Sequence, residues 1–146
     1  MKVSADQIPY FYESISVDAA CSGNPGNMEY RGVVTSTKDE IFHQGIFPQS
    51  TNNIGEFLAL VHALAYLTKT NQPNVPVYTD SKTARAWVRD KKVKTTLKPT
   101  ELNQKSFELL WRALQWLKTN TYANPILVWN TPQWGEIPAD FGNKKG

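Results

Sequence analysis

Four acidic residues, spread over most of the chain, carry the chemistry that the sequence predicts. Asp18 and Asp80 close predicted strands, Glu56 lies in the first turn of a predicted helix, and Asp140 closes the segment WGEIPAD. In α/β sheets, ligands collect outside the carboxyl ends of strands, so these side chains could converge on one point. Four carboxylates gathered closely raise one another's pKa unless a cation lies between them. An all-oxygen ligand set suits Mg²⁺ or Mn²⁺ rather than zinc.

Each acid also has a purely structural interpretation. Glu56 follows Asn53 by three residues and could complete a capping box. Asp80 could be a helix N-cap, Asp18 could begin a turn, and Asp140 could be a surface acid. The metal-site interpretation therefore depends on all four acids occurring together, in order and with their flanking residues.

Alternating strands and helices are predicted to position these acids. Apolar periodicity indicates strands over residues 13–20, 29–36, 40–47, 75–80 and 124–130, and helices over residues 52–70, 81–92 and 100–119, with a short helical tail over residues 137–145. The first three strands form an antiparallel meander, and the last two each follow a helix, which favours parallel crossovers. We expect an α/β fold in which helices pack on a mixed sheet.

Length and composition exclude several classes of protein. The 146 residues form a single predicted domain, 1–146, that begins with a short leader over residues 1–12. One cysteine, Cys21, excludes an internal disulfide framework and favours a reducing compartment. No segment approaches the roughly 20 apolar residues of a membrane span, and the first residues lack the apolar stretch of a secretory signal. We therefore expect a cytoplasmic protein that does not associate with membranes.

Positive charge is concentrated in one segment of the chain. The net charge is +3, yet residues 82–98 contain seven basic residues and one acid. Trp87 lies among these cations, a combination typical of nucleic-acid binding by stacking and phosphate neutralisation. A solvated basic face is the structural alternative. Three further tryptophans are instead expected to pack in the core: Trp111, Trp116 and Trp129.

Four motifs together resemble a known enzyme family. VDAACSGNPG, TNNIGEFLAL, YTDS and WGEIPAD resemble, in this order, the catalytic domain of type I ribonuclease H in its bacterial cellular form. The resemblance extends from about residue 13 to residue 143. It implies a five-stranded mixed sheet flanked by helices, and an endonuclease that hydrolyses the RNA strand of RNA–DNA hybrids. It places the family's catalytic carboxylates on Asp18, Glu56, Asp80 and Asp140, and a nearby assisting acid on Glu136.

A pair of Mg²⁺ ions, for which Mn²⁺ is a possible substitute, fits this chemistry. Two ions roughly 4 Å apart can activate a water, align its attack and stabilise the leaving oxygen. Asp18 is expected to bridge both ions, Glu56 and Asp80 to complete the ligand shell of one ion, and Asp140 that of the other.

One feature departs from the family pattern. Many members carry a histidine in the loop before the last aspartate, where this chain has residues 130–134 instead. His43 lies in a predicted strand and His62 inside a predicted helix, so both are expected to be structural. Glu136 or solvent is the expected substitute for the missing histidine.

The resemblance and the shape of the duplex together predict substrate contacts. Only the RNA strand carries 2′-hydroxyls, which line the wide minor groove of an A-like duplex. Predicted RNA-strand contacts are Cys21, Gly23, Asn24, Asn52, Asn53 and Lys82, and predicted DNA-strand contacts are Thr51, Asn53, Trp87, Thr95 and Thr96. The structural alternatives are core packing for Trp87, loop polarity for Thr95 and Thr96, and an ordinary surface position for Lys82. Because such contacts read no bases, little sequence preference is expected.

Two other functions fit part of the pattern. A non-catalytic hybrid-binding module is disfavoured, because four acids without metal would repel the phosphates they face. Another nuclease of the same fold (a resolvase, an integrase or a proofreading-type exonuclease) is the second alternative. Proofreading exonucleases typically carry an acid two residues after the first aspartate, where this chain has Ala20. We expect a monomer with no evident protein partner and no separate hybrid-binding domain.

Overall fold

The computed structural model describes residues 10–142, and within them five strands form one mixed sheet. The strands are β1 (Ile15–Cys21), β2 (Gly26–Val34), β3 (Glu40–Ser50), β4 (Val77–Thr79) and β5 (Ile126–Val128), and the helices are α1 (Asn52–Lys69), α2 (Lys82–Asp90), α3 (Gln104–Thr119) and α4 (Thr131–Trp134). The strand order is β3-β2-β1-β4-β5. β1, β2 and β3 pair antiparallel, whereas β4 pairs parallel with both β1 and β5. The predicted fold is confirmed.

The central strand β1 has ladders of unequal length on its two sides. Its ladder with β2 extends to the pair Cys21↔Met28, but its ladder with β4 contains only Ile15 and Ser16. The expectation that Asp18 ends the first strand is therefore wrong. Asp18 lies in the middle of β1, because pairing with β2 continues three residues beyond it. It also lies just past the last pair with β4, where the sheet opens.

The helix α1 supplies most of the core on one face of the sheet. Apolar residues recur along it at helical spacing, and Ile54, Phe57, Leu60 and Leu64 are fully buried. Burying one such side chain contributes about 1.5–3 kcal/mol.

Among the described residues, no helix is both long enough and apolar enough to cross a membrane.

The predicted helical tail over residues 137–145 is wrong for the part that the structure describes. Residues up to Gly142 form turns and bends, and the remainder of that segment lies outside the described residues. An Asp140 carboxylate oxygen accepts the Gly142 amide at 2.9 Å, a local bond that competes with helix formation. The short helix is α4 instead, which Asn130 caps with its side chain.

Trp111 does not belong to the core. Its side chain is 57% exposed, although Trp129 is buried and Trp116 is half-buried as part of the core surface. The inward face of α3 is set by Phe107, Leu110 and Leu117. Trp111 lies one residue past Leu110, which turns it about 100° away from that face.

Close contact between α1 and β1 depends on a glycine. A Cβ atom added to Gly55 would lie 2.8 Å from the Ala19 Cβ and 2.9 Å from the Met28 sulfur. Real Cβ atoms need more room than this, so any larger residue would push α1 away from the sheet. Glu56 is the next residue, and its position therefore depends on this close approach.

We expect Gly55→Ala to destabilise the fold by about 1–2 kcal/mol, because crowding against the sheet outweighs the helix propensity gained. Urea unfolding measures the change. Ala19→Gly removes the atom nearest to the new Cβ. The double variant, Gly55→Ala with Ala19→Gly, is therefore expected to lose less stability than the two single variants lose together. A Gly55→Ala variant more stable than the wild type would contradict this account.

Candidate functional site

Three acidic side chains from different elements meet beside the central strand. Asp18, Glu56 and Asp80 each place a carboxylate oxygen within 4.8 Å of the others. Asp18 comes from β1, Glu56 from α1, and Asp80 directly follows β4. Asp18 and Glu56 are 2% and 3% exposed, whereas Asp80 is open to solvent. The group therefore has a buried side and a solvent-facing side.

The structural alternatives for these three acids do not hold in the structure. Asp18 lies within a strand rather than a turn. Ser81, not Asp80, is the N-cap of α2, and its side chain accepts the Ala84 amide at 3.0 Å. Thr51 caps α1, so Glu56 lies in the second turn of the helix rather than the first and forms no capping box. The predicted first-turn position of Glu56 is thus corrected by one turn.

The donor set fits a hard divalent cation. Ionised carboxylates at this separation repel one another, and burial strengthens the repulsion because it lowers the effective dielectric constant. A cation bound among them would offset this cost. The three predicted ligands offer only carboxylate oxygens, which suits the class of ion that includes Mg²⁺ and Mn²⁺.

Asp140, the fourth predicted acid, is not a member of this group of three. It lies half-buried in the segment after α4, where its amide donates to the Ile137 carbonyl at 2.8 Å. The Arg31 guanidinium donates to the carbonyl oxygens of Ala139 at 2.8 Å and of Asp140 at 2.6 Å. Arg31 is itself the cross-strand partner of Asp18. The main chain at Asp140 is thus attached to the strand beside Asp18, and its role as a ligand stays a prediction.

Glu136 is exposed and lies in a loop that an aromatic cluster supports. The cluster consists of Tyr10, Tyr78, Trp129 and Trp134, with the Tyr10 ring 4.6 Å from Trp129 and 5.4 Å from Trp134. Trp129 Nε1 donates to the Gly135 carbonyl at 2.9 Å. The last residues of the predicted leader therefore pack beneath this loop, while residues 1–9 lie outside the described part of the chain. The role of Glu136 stays a prediction.

All five residues predicted to contact the DNA strand line one cavity of about 390 Å³. Thr51 and Asn53 come from the start of α1, Trp87 from α2, and Thr95 and Thr96 from the loop that follows. Asn24 from the turn between β1 and β2 also lines the cavity, as do two lysines that the sequence did not place there, Lys94 and Lys98. The cavity is therefore cationic and rich in hydroxyl and amide groups.

Trp87 is mainly a core residue. It is 7% exposed, and its ring packs edge-on against Phe57 with centroids 6.1 Å apart. The core-packing alternative accounts for most of its surface, and only a small part is left to face the cavity. Stacking of Trp87 on a sugar stays a prediction.

The residues predicted to contact the RNA strand lie at the ends of strands and helices. Gly23 and Asn24 are exposed in the β1–β2 turn, where Gly23 adopts a φ of 140° that favours glycine. The Cys21 thiol donates to the Ser50 carbonyl at 3.5 Å, and burial raises its pKa. The remaining three are exposed at the helix starts: Asn52, Asn53 and Lys82.

Both histidines have structural partners, as the sequence predicts. His62 Nδ1 lies 3.2 Å from the Tyr30 hydroxyl, and its ring stacks on Phe42 at 3.9 Å. Burial lowers the pKa of His62, which favours the neutral ring. His43 Nε2 lies 2.7 Å from a Glu29 carboxylate oxygen.

A mixed sheet whose central strand carries one of three clustered carboxylates defines an α/β protein with a candidate metal centre. The RNase H family model matches residues 12–124. Curated relatives include a ribonuclease H of Ehrlichia canis (strain Jake), 30% identical over 133 residues that cover 88% of this chain and 83% of the relative. Another is a ribonuclease H of Cyanothece sp. (strain PCC 7425 / ATCC 29141), 35% identical over 117 residues that cover 73% of this chain and 71% of the relative.

Among solved structures, the fold is similar to the N-terminal RNase H domain of a Mycobacterium tuberculosis protein fused to maltose binding protein. The TM-score is 0.51 at 21% identity, over 80% of this chain and 86% of that one. The chain belongs to the RNase H family and is a ribonuclease H enzyme.

We expect Mg²⁺ to stabilise the fold through the three carboxylates. A ligand that binds only the folded state at about ten times its dissociation constant adds about 1.4 kcal/mol, or about 3–6 °C in melting temperature. Melting scans in EDTA and in excess MgCl₂ measure this shift. Asp18→Asn is expected to lose it, because an amide is a poor Mg²⁺ ligand. Asp39→Asn, which removes an exposed acid in the β2–β3 turn, is the matched control and keeps it. Equal shifts in wild type and Asp18→Asn would show that the ion binds elsewhere.

Proposed function

We propose that this protein is an endonuclease that hydrolyses the RNA strand of RNA–DNA hybrids with a pair of divalent ions. The observation that carries the proposal is the convergence of Asp18, Glu56 and Asp80 oxygens within 4.8 Å, in a chain of the RNase H family. Mg²⁺ is the proposed ion, and Mn²⁺ is its possible substitute, because both take oxygen ligands.

The reaction requires an activated water, in-line attack on the phosphate and neutralisation of the charge that develops on its oxygens. Divalent cations supply these functions when they are bound. Asp18 lies on the central strand and would bind the ions from there. Glu56 holds the group from its buried side. Asp80 is the exposed member, so we expect the scissile phosphate to approach from its side.

Two acids in the segment after α4 complete the proposed machinery. Asp140 would add a fourth carboxylate to the ligand set. Glu136 is exposed, so it can exchange protons with solvent and would serve in proton transfer or product release. Residues 131–134 form the whole of α4, Asn130 is its cap, and this segment contains no histidine.

Selection of the RNA strand would depend on 2′-hydroxyl groups. These groups both donate and accept hydrogen bonds, and only the RNA strand has them. Asn24, Asn52 and Asn53 expose amide side chains that can do the same. Gly23 has no side chain, which lets the backbone of the β1–β2 turn approach a ribose closely. Cys21 at the end of β1 and Lys82 at the start of α2 are the other proposed contacts.

The cationic cavity is the proposed binding site for a phosphate of the DNA strand. Lys94 and Lys98 supply positive charge, and Thr51, Thr95 and Thr96 supply hydroxyl donors around the same space. A phosphate fits this combination, because charge-assisted hydrogen bonds to its oxygens are roughly twice as strong as neutral ones. Asn53 and the exposed edge of Trp87 border the site. Binding there should weaken as salt rises.

Cleavage assays on end-labelled duplexes test the proposal. A hybrid, an RNA duplex and a DNA duplex are compared in MgCl₂ and in EDTA. We expect the wild type to cut only the RNA strand of the hybrid, and only with Mg²⁺. Replacing ribose with deoxyribose in the cut strand should abolish cleavage. Cleavage of the DNA duplex, or cleavage in EDTA, would refute the proposal.

In the same assay, Asp80→Asn tests whether the Asp80 carboxylate is needed for cleavage. The neutral amide is a poor Mg²⁺ ligand, so we expect kcat to fall by a factor of about 10³ or more while hybrid affinity in Mg²⁺ changes by less than about threefold. Filter binding measures the affinity. Asp39→Asn is the matched control. Wild-type turnover by Asp80→Asn would exclude this carboxylate from the chemistry.

A further inference from the structure

Arg31 contacts three consecutive residues of the segment that carries Asp140. Its Nε donates to the Ala139 carbonyl at 2.8 Å and its Nη2 to the Asp140 carbonyl at 2.6 Å. The guanidinium carbon also lies 4.9 Å from the centre of the Phe141 ring, within the range of a cation–π interaction. A further Arg31 nitrogen lies 3.4 Å from a Glu40 carboxylate oxygen. One side chain thus holds a stretch of main chain more than a hundred residues away.

The main chain that Arg31 holds lies outside helices and strands. Residues 139–142 form turns and bends, so their carbonyl oxygens are not fixed by regular hydrogen bonding. The planar guanidinium presents several donors in a rigid fork, which matches two successive carbonyls. Lysine could satisfy one of them at a time. The arrangement therefore specifies the orientation of this segment as well as its attachment.

The position of Arg31 connects this segment with the candidate metal centre. Arg31 on β2 and Asp18 on β1 are directly opposed in the antiparallel ladder, so their side chains project from the same face of the sheet. The same face therefore carries Asp18 and the side chain that binds the Asp140 carbonyl. Direct attachment of Asp140 to this point would limit how far its carboxylate can move from the other acids.

The fold around this segment has other supports. Ile137 and Ala139 are fully buried, and the aromatic cluster packs beneath the preceding loop. These contacts anchor the segment without Arg31, whereas the hydrogen bonds from Arg31 set its direction at Asp140.

We propose that Arg31 is a positioning residue that holds Asp140 in place as a metal ligand. The proposal rests on the proposed function, since it requires a divalent ion at the carboxylates. Arg31 acts through the main chain of residue 140 and does not touch the ion. No local sequence pattern indicates this role, because the contact joins β2 to a loop near the other end of the chain.

A double-mutant cycle read by Mn²⁺ binding tests this role without depending on turnover. Calorimetry measures the Mn²⁺ affinity of the wild type, Arg31→Ala, Asp140→Asn and the double variant. We expect Arg31→Ala to weaken binding by about tenfold when Asp140 is present. No weakening is expected in the Asp140→Asn background. Removing the positive charge of Arg31 favours Mn²⁺ binding in both backgrounds. A loss of affinity that requires Asp140 therefore reports the position of the Asp140 carboxylate rather than the change in charge.

Controls separate this role from a loss of folding. Glu40→Gln removes the ion pair with Arg31 but leaves both carbonyl bonds, so we expect wild-type affinity. Arg31→Lys should recover part of the loss, and it decides the question if Arg31→Ala does not fold. Equal effects of Arg31→Ala in both backgrounds, or equal affinity of Arg31→Lys and wild type at reduced melting temperature, would overturn the inference. A wild type that binds no Mn²⁺ would instead overturn the proposed function on which it rests.

Discussion

Asp18, Glu56 and Asp80 repel one another, and the strands and helix that carry them have to hold the three carboxylates together against this repulsion. Asp18, Glu56 and Asp80 hold oxygens within 4.8 Å of one another, and two of the three are buried. Such an arrangement costs free energy in the absence of a cation, because charge is poorly screened inside a protein. The same preorganisation lowers the cost of binding a divalent ion. For a nuclease the cost of this repulsion is offset, because a bound divalent ion supplies what phosphate hydrolysis needs.

Rigid elements on three sides keep the acids together against this repulsion. β1 is the central strand, and its short ladder with β4 leaves a gap in which Asp18 and Asp80 face each other across adjacent strands. α1 approaches the sheet closely at Gly55, which fixes the buried side of the group at Glu56. Arg31 ties the segment of Asp140 to the same face. The predicted RNA-strand contacts Gly23, Asn24, Asn52, Asn53 and Lys82 lie on an exposed turn and at exposed helix starts.

Local patterns predicted the elements and the acids, whereas long-range contacts set the details that the sequence did not predict. Apolar periodicity is a property of neighbouring residues, so the strands and the three long helices were predicted close to their observed bounds. The position of Asp18 within β1 depends on the length of the ladder with β2, which no local pattern encodes. Glu56 is the fifth residue of α1, so it lies in the second turn of the helix rather than in the predicted first turn. Arg31 was missed because its partners lie more than a hundred residues away.

Anomalous diffraction from crystals soaked in Mn²⁺ shows directly whether the three carboxylates bind a divalent ion. Manganese can be located by its own scattering, so the measurement requires no assumption about activity. We expect a peak bonded to oxygens of Asp18, Glu56 and Asp80, at about 2.0–2.6 Å, the range of hard divalent cations with oxygen ligands. Crystals that bind Mn²⁺ only at other acids, with these three side chains turned apart, would contradict the account.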